Sequence, residues 1–208
     1  MRSIFNFIVK PIGEKYNNTI SVGKNKLILN TGYEDHKFIN RFAEVISAPL
    51  AFEYLVNKGD TILVHHNVFR TWYDVRGKQK RSSSYINEDY SFCSIDQIYL
   101  VKSKNIWKPL PDYCFVAPIH NDNTIENKKE KDLFGIIKIN NPLLESQDIN
   151  SGDLVSFTPS SEFEFLVDEK KLYRIKIKDI TATYGHPKNE IEYNPSWRKS
   201  SGGISKSS

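Results

Sequence analysis

The residues of this 208-residue chain whose types could do chemistry are His65-His66, Cys93, Cys114 and the run Arg76-Gly77-Lys78-Gln79-Lys80-Arg81. His65 and His66 follow an apolar run and read as strand neighbours, whose side chains point to opposite faces, which makes them a poor joint metal site. His36, His120 and His186 fall in polar stretches with no Cys or carboxylate at ligand spacing. Cys93 and Cys114, the only two cysteines, sit inside apolar runs. They read as buried free thiols, and two cysteines define neither a disulfide framework nor a metal pattern. They fit a reducing compartment. The basic run, with Trp72 and Tyr73 nearby, has the composition that binds single strands. A solvated loop accounts for it as well. There is no Gly-x-Gly-x-x-Gly, no phosphate-binding loop and no nucleophile elbow. Asp60 and Asp153 each follow a glycine, where turn chemistry explains them. These patterns lead us to expect no enzyme, no catalytic residue, no metal and no cofactor. A different kind of chemistry is offered by Leu27-Ile28-Leu29, an apolar triplet between Gly23 and Gly32 in polar surroundings. It is either a buried strand or a surface that folds onto a partner.

The elements around these residues are repeated. Asn57-Lys58-Gly59-Asp60-Thr61-Ile62-Leu63-Val64 returns as Asn150-Ser151-Gly152-Asp153-Leu154-Val155-Ser156-Phe157. Phe5 to Ile12 returns as Asp112 to Ile119, and Ser94-Ile95-Asp96-Gln97-Ile98 as Lys176-Ile177-Lys178-Asp179-Ile180. The blocks keep their order, which implies duplicated units of roughly 100 residues, each large enough for its own core. Strand patterns run over 5–9, 42–46, 61–64, 90–101, 113–116, 134–139, 154–157, 163–167 and 172–180. Long helical stripes are missing, with one turn at most over 51–56. Short β-branched and aromatic runs broken by Gly, Pro, Asn and Asp indicate barrels or sandwiches.

We expect an all-β chain of two tandem β-barrels: 1–104, with a long loop at about 12–41 and a basic insertion at about 67–88, and 105–185, with a shortened loop. The Pro-containing stretch Trp107-Lys108-Pro109-Leu110-Pro111 reads as a stiff connector. A polar, Gly- and Ser-rich tail, 186–208, reads as flexible, its last ~15 residues as disordered, with Trp197 as an isolated aromatic in it. The composition, 39% hydrophobic and 26% charged, is that of an ordinary globular protein. No apolar run approaches the ~20 residues of a membrane-spanning helix, and Met1-Arg2-Ser3-Ile4-Phe5 reads as the approach to a first strand, not a signal peptide. A net charge of +4 carries no nucleic-acid footprint without a concentrated basic stripe, so nucleic acid is not expected as a partner.

In order along the chain come Val9-Lys10-Pro11, a long polar loop with the triplet and Asn30-Thr31-Gly32, Ala43-Glu44-Val45-Ile46, Gly59-Asp60, and Ile95-Asp96-Gln97-Ile98-Tyr99-Leu100-Val101. This pattern resembles the GroES-type co-chaperonins, well over Phe5 to Val101 and more faintly over Tyr113 to Tyr184. The resemblance implies GroES-like barrels and a mobile loop. Leu27, Ile28, Leu29, Asn30, Thr31 and Gly32 would be its contact with a GroEL-type chaperonin. It implies a homo-oligomeric ring of about seven chains that lids the chaperonin and assists ATP-dependent folding of client proteins. ATP would be bound by the partner, and the site of action would be the cytoplasm. Both halves lack the family's roof hairpin: Ala48-Pro49-Leu50 runs almost directly into Val56-Asn57, and Asn141-Pro142-Leu143 into Asn150-Ser151. Tandem and roofless forms both occur in the family, in plastids and bacteriophages respectively, and the Lys-, Asn- and Ile-rich composition fits a phage gene expressed in a host cytoplasm. The competing expectation is a tandem-barrel nucleic-acid-binding or phage structural protein that uses residues 76–81.

Overall fold

A computed structural model describes residues 2–15, 19–22, 25–28, 39–51, 55–121, 129–187 and 190–194, with backbone alone for 19–22 and 25–28. The chain divides into two compact units, Met1–Trp107 and Lys108–Ser208. The first holds β1 (Phe7–Pro11), β2 (Thr19–Val22), β3 (Asn25–Ile28), β4 (Phe42–Ser47), β5 (Thr61–Val64), β6 (Thr71–Tyr73), β7 (Gln79–Arg81), β8 (Ser91–Cys93) and β9 (Ile98–Ser103). The division falls inside β10 (Ile106–Pro109). The second unit holds β11 (Tyr113–His120), β12 (Glu130–Ile139), a short helix α1 (Pro142–Glu145), β13 (Leu154–Phe157), β14 (Phe163–Val167), β15 (Lys170–Lys176) and β16 (Ile180–Thr183).

The sequence repeat is a repeat of topology. One sheet runs β8-β1-β4-β5-β9-β10 and the other β14-β15-β11-β12-β13-β16, so five strands stand in the same order in both. Registers match as well. Val9 pairs with Val45 and Val116 with Ile137, and the ladder slips between Ile8 and Val9 in one unit and between Phe115 and Val116 in the other. A second pair of slips lies between Leu63 and Val64 and between Ser156 and Phe157. Bulges are conserved features of a sheet because they re-aim every residue beyond them. Finding both at equivalent places ties the two units together more tightly than strand order does.

The Gly-Asp turns explain the most repeated phrase. The Asp60 carboxylate accepts from Asn57 N–H at 2.8 Å, and that of Asp153 from Asn150 N–H at 2.7 Å. Gly59 and Gly152 sit at φ +89° and +99°, a region only glycine visits cheaply, and each donates 2.8 Å back across the sheet, to Val45 O and Ile137 O. The third repeated block forms a 3-10 turn in each unit, Ile95–Gln97 and Ile177–Asp179.

Each core is built from alternate strand positions. Phe7, Val9, Val45, Ile62, Val64 and Cys93 are buried in the first unit; Cys114, Val116, Ile137, Val155, Phe157 and Ile175 hold the matching places in the second. The expectation of buried free thiols holds for both cysteines. They occupy opposite members of the same strand pair, Cys93 facing Phe7 and Cys114 facing Ile175. Burial pushes the Cys114 thiol up to about 12, and that of Cys93 above its ordinary value too. Such thiols are inert.

Three features go beyond the expectations. The stiff connector is itself part of a strand: Trp107-Lys108-Pro109 lies in β10, which pairs with β9 across a tight turn at Lys104 and Asn105, both at positive φ. Part of the expected tail, 186–208, is held by the second unit. Residues 190–194 lie against β11, with His120 N–H donating to Ile191 O and Tyr193 N–H to Pro118 O, both 2.8 Å, and Lys131 paired with Glu190. Trp197 is outside the described residues. Helix α1 was not anticipated, because four residues are too few to show a period; Asn141 caps it by accepting from Leu143 N–H at 2.9 Å. Among the described residues β8 does not pair with β10, nor β14 with β16, so each ladder is an open antiparallel sheet. No helix among them is long and apolar enough to cross a membrane.

Candidate functional site

The long loop of the first unit leaves β1 and returns at β4, and its two ends are locked together. Asn40, a buried amide beside buried Ile39, donates from Nδ2 to Ile12 O at 2.5 Å and to Glu14 O at 3.0 Å, and accepts from Phe42 N–H at 2.9 Å. Its own N–H donates to Lys15 O at 2.9 Å, and Ile12 N–H to Phe42 O at 3.0 Å. Gly13, at φ +81°, gives the backbone the turn this clamp needs. The excursion therefore starts and ends at one place on a rigid sheet. Within it, β2 and β3 pair as a separate two-stranded ladder, Ile20 opposite Leu27 and Thr19 opposite Ile28. Of the expected contact residues, Leu27 and Ile28 thus lie in β3. Leu29, Asn30, Thr31 and Gly32 lie outside the described residues, as does His36. Asn40 was missed in the sequence; the available signal was a lone amide at the edge of an apolar strand.

The basic insertion is a second hairpin, β6 against β7, with Trp72 opposite Lys80 and Tyr73 opposite Gln79. Asp74 shapes its tip by accepting from Arg76 N–H and Lys78 N–H, both at 2.9 Å. Beyond it the chain packs back on the loop root. Arg81 lies 4.1 Å over the Tyr85 ring and 2.6 Å from Glu88, Tyr85 donates to Glu88 at 3.0 Å, and Lys15 reaches Glu88 at 4.0 Å. The Tyr85 hydrogen bond, then the Arg81 charge, hold the Glu88 carboxyl below its ordinary value.

The second unit braces its shorter loop differently. Asn121 N–H donates to Lys129 O at 3.0 Å, and Glu130, first residue of β12, meets Lys171 at 2.5 Å and Tyr173 at 2.6 Å. Lys171 is buried and also pairs with Glu164 at 3.2 Å. Burial opposes its charge, but the Glu130 carboxylate and Tyr173 outweigh it and raise the ammonium. Burial first, then the Glu130 bond, push the Tyr173 hydroxyl up to about 12. A lysine held charged is an anchor, not a nucleophile.

His65 and His66 do not behave as strand neighbours. The strand ends at Val64 and His66 opens a 3-10 turn, so the rings stack with centroids 4.1 Å apart instead of diverging. His65 Nδ1 accepts from Asn67 N–H at 3.1 Å. No group of three or more His, Cys, Asp or Glu side chains among the described residues could hold a metal ion. No model of a protein family and no curated protein matches this chain.

Proposed function

We propose that the chain is a tandem, roofless co-chaperonin of the GroES type, its two sheets the walls of two GroES-like barrels. The observation that carries this reading is the first unit's loop: a long excursion clamped at its root by Asn40, with Leu27 and Ile28 in a two-stranded ladder separate from the six-stranded sheet. A lid needs no reactive group. It needs an apolar grip that holds and lets go. Each of the three side chains gains ~1.5–3 kcal/mol on full burial, while ordering loop backbone costs ~1–2 kcal/mol per residue. One loop binds weakly, and a ring presenting about seven makes the later contacts intramolecular. The partner is a GroEL-type chaperonin that binds the ATP, in a cytoplasm; the chain touches clients only through the enclosed space. Only the first unit carries the triplet, so each chain offers one grip and the second unit serves as a spacer that heightens the lid.

The test is size-exclusion chromatography with light scattering on the protein mixed with a bacterial GroEL-type chaperonin, with and without ATP. Nucleotide-dependent co-elution, lost in Leu27→Ser/Ile28→Ser/Leu29→Ser, is the expected result. Failure to co-elute under every nucleotide condition overturns it.

A further inference from the structure

The chain carries 29 Lys and Arg against 25 Asp and Glu. Residues 70–81 hold five of those cations (Arg70, Arg76, Lys78, Lys80 and Arg81) and one anion, Asp74. Removing them leaves 24 of each sign, so the whole net charge of +4 resides in one hairpin. The hairpin is a discrete element: β6 and β7 form their own two-stranded sheet, and Ser82 N–H donates to Arg70 O at 3.1 Å to extend it. Arg81 is taken up by Glu88 beyond the hairpin, whereas Lys80 only reaches Asp74 at 3.7 Å and its side chain stays 45% exposed, a pairing that leaves its charge available. Arg76 and Lys78 stand exposed at the tip beside Val75. Aromatic rings sit among the cations. Arg70 lies 5.4 Å over Trp72, and Tyr73, on the strand leading to the tip, is 46% exposed.

Exposed cations and an exposed aromatic ring on one discrete two-stranded ribbon are the parts of a single-strand binding surface, in which cations follow the phosphates and rings stack on bases. We propose that the β6–β7 hairpin binds single-stranded nucleic acid, with Arg76, Lys78 and Lys80 on the phosphates and Tyr73 as the stacking ring. The concentrated basic stripe is already in the sequence, and the fold sets it on a discrete two-stranded hairpin. This site is separate from the Leu27–Leu29 loop and does not depend on the lid reading.

The experiment is fluorescence anisotropy of the full chain with a labelled oligothymidylate of about 20 nucleotides. Three phosphate contacts on a single strand give roughly a 20-fold loss of affinity between about 50 and 200 mM salt. Arg76→Gln/Lys78→Gln/Lys80→Gln is expected to lose binding by at least about tenfold and to flatten the salt dependence. Tyr73→Ala is expected to weaken binding about tenfold. Both variants should melt as wild type does, because the hairpin contributes nothing to either six-stranded sheet. If Tyr73→Ala melts lower, Tyr73→Phe, which keeps the ring, must restore both melting and binding. No binding at low salt overturns the proposal. So does equal displacement by poly-glutamate with no effect of Tyr73→Ala, which would assign the hairpin to an acidic protein surface.

Discussion

Ile12 and Ile119 hold the same place at the end of their units' first strands, after Pro11 and Pro118, yet Ile12 is 45% exposed and Ile119 is fully buried. Ile119 packs with Ile136, Leu154 and Phe134, where the first unit has Glu44, Thr61 and Phe42. In the second unit, residues 190–194 occupy the edge, and Glu192 pairs with Ile119. Loops differ in the same way. The first unit hangs a long loop on the Asn40 clamp and a basic hairpin beside it; the second has a short loop braced by Glu130, Lys171 and Tyr173. Duplication preserved strand order, registers, bulges and Gly-Asp turns, all of which rest on backbone hydrogen bonds shared by a whole ladder. It left free whatever projects from the ladder. Function is therefore to be sought in the projections, where the units differ.

The comparison can be broken most forcefully at the core. Phe115→Ala removes a buried ring that stands 6.0 Å edge-on to Phe165 and is expected to cost ~3–5 kcal/mol. Ile8→Ala, at the matching place, should cost ~2–5 kcal/mol. Hydrogen exchange read separately over the two units will show whether each loss stays in its own unit.

Next in size is Gly135→Ala. A Cβ there would lie 2.7 Å from Val116 Cγ2 and 3.0 Å from Ala117 O, whereas the first unit has Ala43 at the equivalent position. Overpacking of ~1–3 kcal/mol is expected in urea denaturation, with Ala43→Gly as the reverse control.

Alkali should act on both units through their buried thiols, Cys93 and Cys114, and on the second alone through Tyr173. The Cys114 and Tyr173 protons are held in the folded state, so that contribution is full below their ordinary values, 9.0 and 10.0, and is lost as pH rises toward about 12. Tyr173→Phe should remove the part between pH 10.0 and about 12 from the second unit's melting profile and leave the first unit's profile unchanged.

Asp60→Ala and Asp153→Ala should each cost about 1 kcal/mol and match one another, because the two carboxylates make the same bond. The smallest effect is expected from Glu190→Gln/Glu192→Gln. Loss of the pairs with Lys131 and Lys138 should cost under about 1 kcal/mol, speed exchange at the Tyr193 N–H, and be mimicked by salt.

Strand positions, two units and the Gly-Asp turns were all legible in the residues, because alternation and turn chemistry are local properties that a chain of any tertiary structure must obey. The buried state of both cysteines was legible for the same reason. Three features depend on partners far along the chain. Asn40 becomes a clamp only when Ile12 and Glu14 arrive beside it, Glu130 becomes a brace only against Lys171 and Tyr173, and residues 190–194 are held only once β11 and the Lys131 and Lys138 side chains of β12 stand beside them. A buried polar group is tolerable where its hydrogen bonds are met, and those partners are chosen by folding. Local pattern alone determined the duplicated all-β framework. Tertiary structure decided how each loop is rooted and which edge is covered.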